Sequence, residues 1–308
     1  MAITRVEIKD YLVFKGALAI EFCPGVNVLI GGNGTGKTTL LKCLSELTTS
    51  FTFTRDGRMY LTDNEAGSMI DETTTNERIR KWGKGILDGY IPFLEYIPEK
   101  DILEHAKGLF TFIMEKQTGF SRIYRDVLIS AHDVPTQEQN EMQKSVGEKI
   151  IAIIGGEVDC DKGDDTFYIV KADGSRIPFV NEASGYKRLG FLGLLVSCGK
   201  LVPNSVLVWD EPENSLNPEL VPKLVDIFLE LSRNGVQVFI ATHSEILASY
   251  FDVNRKDDDE VIFVSLYKEN DIVKANTSDR FDLLTPNKLT EEPVKLYERK
   301  LDRGLGDE

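Results

Sequence analysis

Histidine and cysteine are both scarce in this chain, three and four residues in 308. The cysteines, Cys23, Cys43, Cys160 and Cys198, form no CxxC pair and no Cys/His cluster. A dedicated zinc site and a disulfide scaffold are therefore both excluded, and free thiols in a reducing cytoplasm are expected. No apolar run approaches the roughly 18 residues that a membrane-spanning helix needs. The N-terminus, MAITRVEIKDYLVF, alternates instead of running apolar, which argues against a secretory signal. There is no internal repeat, no low-complexity tract and no heptad run long enough for a coiled-coil arm. Positive charge is in deficit: 36 Lys and Arg stand against 50 Asp and Glu, giving a net charge of −14 and a pI near 4.8. Such a chain does not attract nucleic acid or an anionic membrane as a whole, so any such contact would need a local basic patch. Apolar material is plentiful, at 42% of residues with 16 Phe and 10 Tyr, enough for a sizeable core.

The patterning predicts an α/β chain. Residues 2 to 9 alternate as a strand, 18 to 22 form a second, and Val26 to Ile30 reads as a buried strand of a parallel sheet. A helix is expected over 37–47, helical pieces over 102–130, and another helix from Thr136 as cap to Gly155-Gly156. Asp173-Gly174 marks a hairpin. Apolar helix 184–200, strand 206–209, a helix from about Pro218 to Ser232 and strand 236–241 then alternate as in a parallel sheet. Pro222 falls in the first turns of its helix, so that helix starts late or bends there.

Three segments carry chemistry. Gly31, Gly32, Asn33, Gly34, Thr35, Gly36, Lys37 and Thr38, followed by Thr39, fit the phosphate-loop pattern GxxxxGK[ST] between a strand and a helix. Glycines let the backbone wrap a phosphate with its N–H groups. Lys37 supplies a cation for the β and γ oxygens, Thr38 a hydroxyl for Mg²⁺, and the helix N-terminus partial positive charge. In VLVWDEPENSLNP an apolar strand ends in Asp210-Glu211. Asp210 can hold Mg²⁺, often through water, and Glu211, leaving the strand axis, can face the γ-phosphate as a base for water. In ATHSEILASYF, His243 follows a buried strand and would reach the same sheet edge, within hydrogen-bonding reach of the γ-phosphate or the attacking water.

These segments in this order resemble the ABC-type ATPases, which implies a P-loop NTPase fold with a mixed, largely parallel sheet, N-terminal antiparallel strands and a mainly helical insert. On that resemblance Ala183-Ser184-Gly185-Tyr186-Lys187 stands for the signature, with Tyr186 where the second glycine is usual. Ser184 is a plausible N-cap, and Ser184 and Gly185 would face the nucleotide of a second subunit. Asn214 to Asn217 matches the D-loop, with Asn217 where aspartate is commoner. Glu99, in Tyr96-Ile97-Pro98-Glu99, replaces the Q-loop glutamine and could touch Mg²⁺ or water. Tyr11 or Phe14 would stack on adenine.

The stretch KDYLVFKGALAIEFCPGVNVLIGGNGTGKTTLL, with EPENSLNP, ASGYKR and LTPNKL…VKLYERKL, resembles the SMC/RecF/OLD-like branch and its small AAA-family ATPases, several of which work beside a nuclease or toxin in antiphage defence. It implies one ABC-ATPase domain over 1–308, with a nucleotide-binding core of 1–49 and 165–275, a variable insert of about 50–160 and a helical tail of 285–308. It also implies a cytoplasmic enzyme, an ATP hydrolase that forms a head-to-tail homodimer around Mg²⁺ and ATP and is coupled to a protein partner, with no membrane contact. A slow-hydrolysing nucleotide-gated sensor or scaffold, a DNA-associated repair-type ATPase and a transporter subunit are the alternatives. Arg78, Arg80, Lys81 and Lys84 beside Trp82 form a basic patch that serves either nucleic acid or a solvated helix face. Val294, Tyr297 and Leu301 share one helical side, for packing on their own domain or, alternatively, on a partner.

Overall fold

The computed structural model describes residues 2–45, 51–53, 58–62, 94–115 and 122–305. The chain begins with β1 (Arg5–Tyr11), β2 (Phe14–Glu21) and β3 (Val26–Gly31), which leads through the glycine loop into α1 (Lys37–Ser45). Next come β4 (Phe51–Phe53), β5 (Arg58–Thr62), β6 (Leu94–Ile97), α2 (Ala106–Glu115), α3 (Arg122–Ala131) and α4 (Glu141–Ile154). The meander β7 (Gly156–Asp161), β8 (Thr166–Lys171) and β9 (Arg176–Pro178) precedes α5 (Ser184–Ser197). The chain closes with β10 (Val206–Asp210), α6 (Val221–Arg233), β11 (Gln237–Ala241), α7 (Glu245–Asn254), β12 (Val261–Glu269), β13 (Ile272–Ser278) and α8 (Lys288–Leu305).

The central sheet has six strands in the order β13-β12-β3-β11-β10-β6, parallel throughout except for the antiparallel edge strand β13. Its inner strands β3, β10 and β11 are buried at every residue, which is why they read as continuous apolar runs and not as alternation. The register pairs Trp209 with Ile97, Asp210 with Ala241 and Ala241 with Leu29. The C-terminal ends of β3, β6, β10 and β11 therefore share one edge, where open α/β sheets place their ligands.

A second sheet, β2-β1-β5-β4, pairs β1 with β2 antiparallel and β1 with β5 parallel. The stretch following α1 thus adds strands to the N-terminal sheet as well as helices further on. The basic patch around Arg78 to Lys84 lies outside the described residues.

Aromatic pairs pack on both faces of the central sheet. Phe22 meets Phe239 edge-on at 5.0 Å, and Trp209 meets Phe228 at 5.5 Å. Truncating Phe239 to alanine removes one of these rings from a fully buried strand. The expected cost is about 3–5 kcal/mol, read as a lower urea midpoint at unchanged slope.

Two local expectations are corrected and a third is sharpened. Helix α4 starts later than Thr136: Asn140 caps it, its side chain accepting from Gln143 N while the Gln143 side chain accepts from Asn140 N. Thr136 instead donates to Ser197 O at the end of α5. The late start expected from Pro222 holds, only the approximate Pro218 boundary moving: Pro218–Leu220 is a separate 3-10 turn, and α6 begins at Val221 with Pro222 in its first turn, where no N–H is required. In α8 the first turn is anchored by Leu289 against the core, but Val294, Tyr297 and Leu301 are exposed at 55%, 65% and 48%, so they do not pack on their own domain. Among the described residues no helix is long and apolar enough to cross a membrane. Burial pushes the Cys23 thiol up to about 11, consistent with an inert core cysteine.

Candidate functional site

The glycine loop turns at residues that only glycine tolerates. Gly36 has φ +96°, and a Cβ there would lie 2.6 Å from the Phe14 ring; at Gly31, φ +151°, it would lie 2.2 Å from Leu266 O. Phe14 is consequently buried against the loop and cannot stack on a base, whereas Tyr11 is half-buried. Lys37 opens α1 and is buried, its Nζ donating to Gly31 O at 2.8 Å and Gly32 O at 3.3 Å. Burial lowers its pKa, and Glu211 and Asp210 partly offset this. The ammonium therefore sits folded back on backbone carbonyls, which are weaker partners than phosphate oxygens. Thr35 Oγ1 donates to Gly32 O at 2.9 Å and stiffens the turn. Asn33, Gly34 and Thr38 face solvent, and Gly32 and Thr39 are half-buried.

Across from the loop, Asp210 ends β10 and is buried, with the Thr38 hydroxyl beside it. Burial raises its pKa and the Thr38 hydroxyl pulls it back. Glu211 follows with φ +48°, a left-handed conformation that costs a non-glycine residue about 1–3 kcal/mol. Its N–H donates to Ala241 O at 2.8 Å. That bend turns its carboxylate off the strand axis, and His243 Nε2 lies 3.5 Å from Glu211 Oε1. The separation exceeds a normal hydrogen bond, so the two groups face each other without locking. Burial, then the charges of Glu99 and Asp210, raise the Glu211 pKa. Burial, then Lys37, lowers that of His243 and favours the neutral imidazole. Glu99, exposed one residue beyond Pro98, thus contributes negative charge from the end of β6. Every member of the two motifs, with His243 and Glu99, is brought to the same sheet edge.

The signature segment packs on the loop that follows Asp210-Glu211. Ala183, without a side-chain bond, occupies the N-cap of α5, and Ser184 is the first helical residue, exposed at the tip, so the expected Ser184 cap is corrected. Gly185 is squeezed: a Cβ would fall 2.6 Å from Leu216 and 2.7 Å from Ser215 O. The tip of α5 is thereby seated on the loop after β10. Asn217 Nδ2 donates to Glu219 Oε1 at 3.0 Å.

Several functional-looking residues escape sequence reasoning. Arg188, buried in α5, donates from Nη1 to Glu211 O at 2.8 Å and from Nη2 to Asp210 O at 2.5 Å, with its guanidinium 5.5 Å over the Trp209 ring. Lys187, also buried, pairs with Glu104 and lies 3.7 Å from Asp101. Glu213 accepts from Thr242 Oγ1 and, at 3.3 Å, from His243 N. Only the adjacency of Lys187-Arg188 to the signature and of Glu213 to Glu211 could have drawn attention to them. Among the described residues no three His, Cys, Asp or Glu side chains converge as a ready metal cage. The hydroxyl of Thr38 against the carboxylate of Asp210 is nonetheless the all-oxygen donor set that suits Mg²⁺.

Comparison with known proteins bears on the domain type and the fold. A family described as "AAA domain, putative AbiEii toxin, Type IV TA system" matches residues 108–249, and a family described as "AAA domain" matches 5–154. The SMC head bound to the C-winged helix domain of ScpA superposes with a TM-score of 0.51 at 13% identity, over 90% of this chain and 98% of that one. The SMC head domain from Thermotoga maritima aligns with a TM-score of 0.48 at 15% identity, over 90% and 99% of the two chains. The energy-coupling factor transporter ATP-binding protein EcfA of Methanothermobacter thermautotrophicus is 32% identical over 77 residues, a match spanning 25% of this chain and 23% of that relative. At these identities the SMC-head likeness speaks to the fold alone.

Proposed function

We propose, for a chain that belongs to the ABC-type P-loop ATPases of the SMC/RecF-like branch, that it binds Mg-ATP between two copies arranged head to tail and hydrolyses it. The observation that carries the reading is the convergence of Lys37, Asp210 with Thr38 beside it, and the Glu211–His243 pair on one sheet edge.

In this reading the backbone of 31–36 cradles the phosphates, and Lys37 exchanges its two carbonyl partners for β and γ oxygens. Thr38 and Asp210, with Glu99 nearby, would hold Mg²⁺, which when bound would neutralise charge on the phosphates. Glu211 accepts a proton from the attacking water as the bond to the γ-phosphorus forms and the bond to the β-phosphate oxygen breaks, giving ADP and phosphate. Neutral His243 donates a hydrogen bond to the γ-phosphate or orients that water. Ser184 and Gly185 of the second copy complete the site.

The family description, which names a putative AbiEii toxin and a type IV toxin–antitoxin system, supports a role beside a toxin; a nuclease as the partner, antiphage defence and a cytoplasmic location are our extension of that reading. Calorimetric titration of Mg-ATP, with sedimentation to read the assembly state, tests the proposal. Heat of binding and a nucleotide-dependent dimer are expected, and the absence of binding heat would end it.

The slow, nucleotide-gated scaffold is the second reading. The tight seat of Gly185 on Ser215 and Leu216 favours it, because a tip held this firmly by its own chain engages a partner's nucleotide less readily. Steady turnover by the purified chain, assayed with and without DNA, decides against it.

A further inference from the structure

One oxygen of the Glu213 carboxylate does more than sequence position explains. Oε1 accepts from the hydroxyl of Thr242 and from the N–H of His243, two adjacent residues of the turn that leaves β11. Thr242 Oγ1 in turn accepts from Ser244 N at 2.9 Å, and Ser244 caps α7 by accepting from Leu247 N at 3.1 Å. Residues 242, 243 and 244 are thus tied through one carboxylate before α7 begins. Oε2 of Glu213 is sealed from solvent and has no hydrogen-bond partner among the described residues, an expensive arrangement for a group serving only to fill space.

Across the bend stands Arg188, buried and within electrostatic reach of Glu213, its Nε likewise sealed and unpartnered. It grips the carbonyls of Asp210 and Glu211. Each half of the Glu211–His243 pair is therefore held from behind by a buried group, and the two groups have opposite charge.

We infer that Glu213 is a positioning residue for His243: its carboxylate clamps the turn after β11 and so aims the imidazole at Glu211, with Arg188 as the counterpart that fixes Glu211. The inference rests on the hydrolytic reading of the site but concerns a residue that never touches the nucleotide. A carboxylate is suited to the task because one oxygen takes two donors, and burial, which raises the Glu213 pKa, makes those donors rather than its charge the basis of the role. A glutamine keeps an acceptor oxygen and loses the charge.

The test combines kinetics with a signal that needs no nucleotide. Glu213→Ala should lower kcat about 10- to 100-fold, the range expected when a catalytic group is misplaced by an ångström or less. KM for Mg-ATP should stay within about threefold, since the phosphate loop is untouched. Glu213→Gln should recover most of the loss. Thr242→Val, which deletes one hydroxyl at nearly constant shape, should move kcat in the same direction as Glu213→Ala. In a His243→Ala background the Glu213→Ala loss should all but vanish, because residues acting through a common partner are not additive.

In parallel, the His243 imidazole resonance of the nucleotide-free protein, identified by its disappearance in His243→Ala, should broaden or split in Glu213→Ala and Thr242→Val. The His105 and His132 resonances should stay in place. An equal kcat loss with and without His243, or an unmoved His243 resonance in both variants, overturns the inference. Should the wild-type chain fail to hydrolyse ATP, the hydrolytic reading falls, and the resonance still decides whether Glu213 orients His243.

Discussion

Glu211→Gln is expected to lower Mg-ATP turnover by about 10²- to 10⁴-fold, the usual worth of a positioned general base, and to accumulate a nucleotide-bound dimer. The substitution keeps shape and removes a charge. The bonds that hold the bend at position 211 are backbone bonds, N–H to Ala241 O and carbonyl to Arg188, so they survive it. The side chain's own neighbour is His243 at 3.5 Å, and glutamine can occupy the same place. What disappears is the proton acceptor. The variant also relieves repulsion, since Glu99 and Asp210 both act against the ionised Glu211. Nucleotide affinity should therefore hold or rise, and without cleavage the clasped dimer has no route back. Single-turnover hydrolysis and sedimentation with Mg-ATP measure both effects. Turnover equal to wild type would remove Glu211 from the mechanism.

The legible half of this site is the half written in consecutive residues. Gly31 to Thr38 announces a loop because local backbone geometry excludes side chains at Gly31 and Gly36, and Asp210-Glu211 announces an acid because it ends an apolar run. The fold followed from the same kind of signal, fully buried strands reading as uninterrupted apolar stretches. Arg188, Glu213 and Thr242 were not legible because their meaning is tertiary. Arg188 looks like one cation of a helix until α5 brings it under the carbonyls 22 and 23 residues further along the chain. Glu213 looks like a polar loop residue until β10 and β11 become neighbours and place it under Thr242. The helix cap at Asn140 was missed for a different reason. Two residues can each satisfy the local capping pattern, and the choice fell to Thr136 being drawn onto the end of α5. The outer face of α8 shows the converse failure: a helical apolar stripe predicts burial, but it does not name what buries it.

Lys37→Met should abolish the stabilisation of this protein by nucleotide while leaving the free protein nearly as stable as before. The two halves of that expectation follow from one fact, the burial of an ammonium whose bonds go to the carbonyls of Gly31 and Gly32. A buried charge carries a desolvation cost that neutral hydrogen bonds repay only in part, as its lowered pKa records. Methionine keeps most of the apolar stem and removes that cost, so the loss of two carbonyl contacts is offset and the unliganded melting temperature should change little. Phosphate oxygens are far better partners. Charge-assisted bonds are each worth about 1.5–3 kcal/mol, so losing two weakens binding by at least about 100-fold. Nucleotide at 100 times the dissociation constant stabilises a protein by about 2.7 kcal/mol, and a 100-fold weaker complex at the same concentration by only about 0.4 kcal/mol. Melting curves with and without Mg-ATP resolve that difference. A large drop in the melting temperature of the free variant would assign Lys37 a structural role in the loop, and a nucleotide shift equal to wild type would mean that the ammonium never leaves its carbonyls for a phosphate.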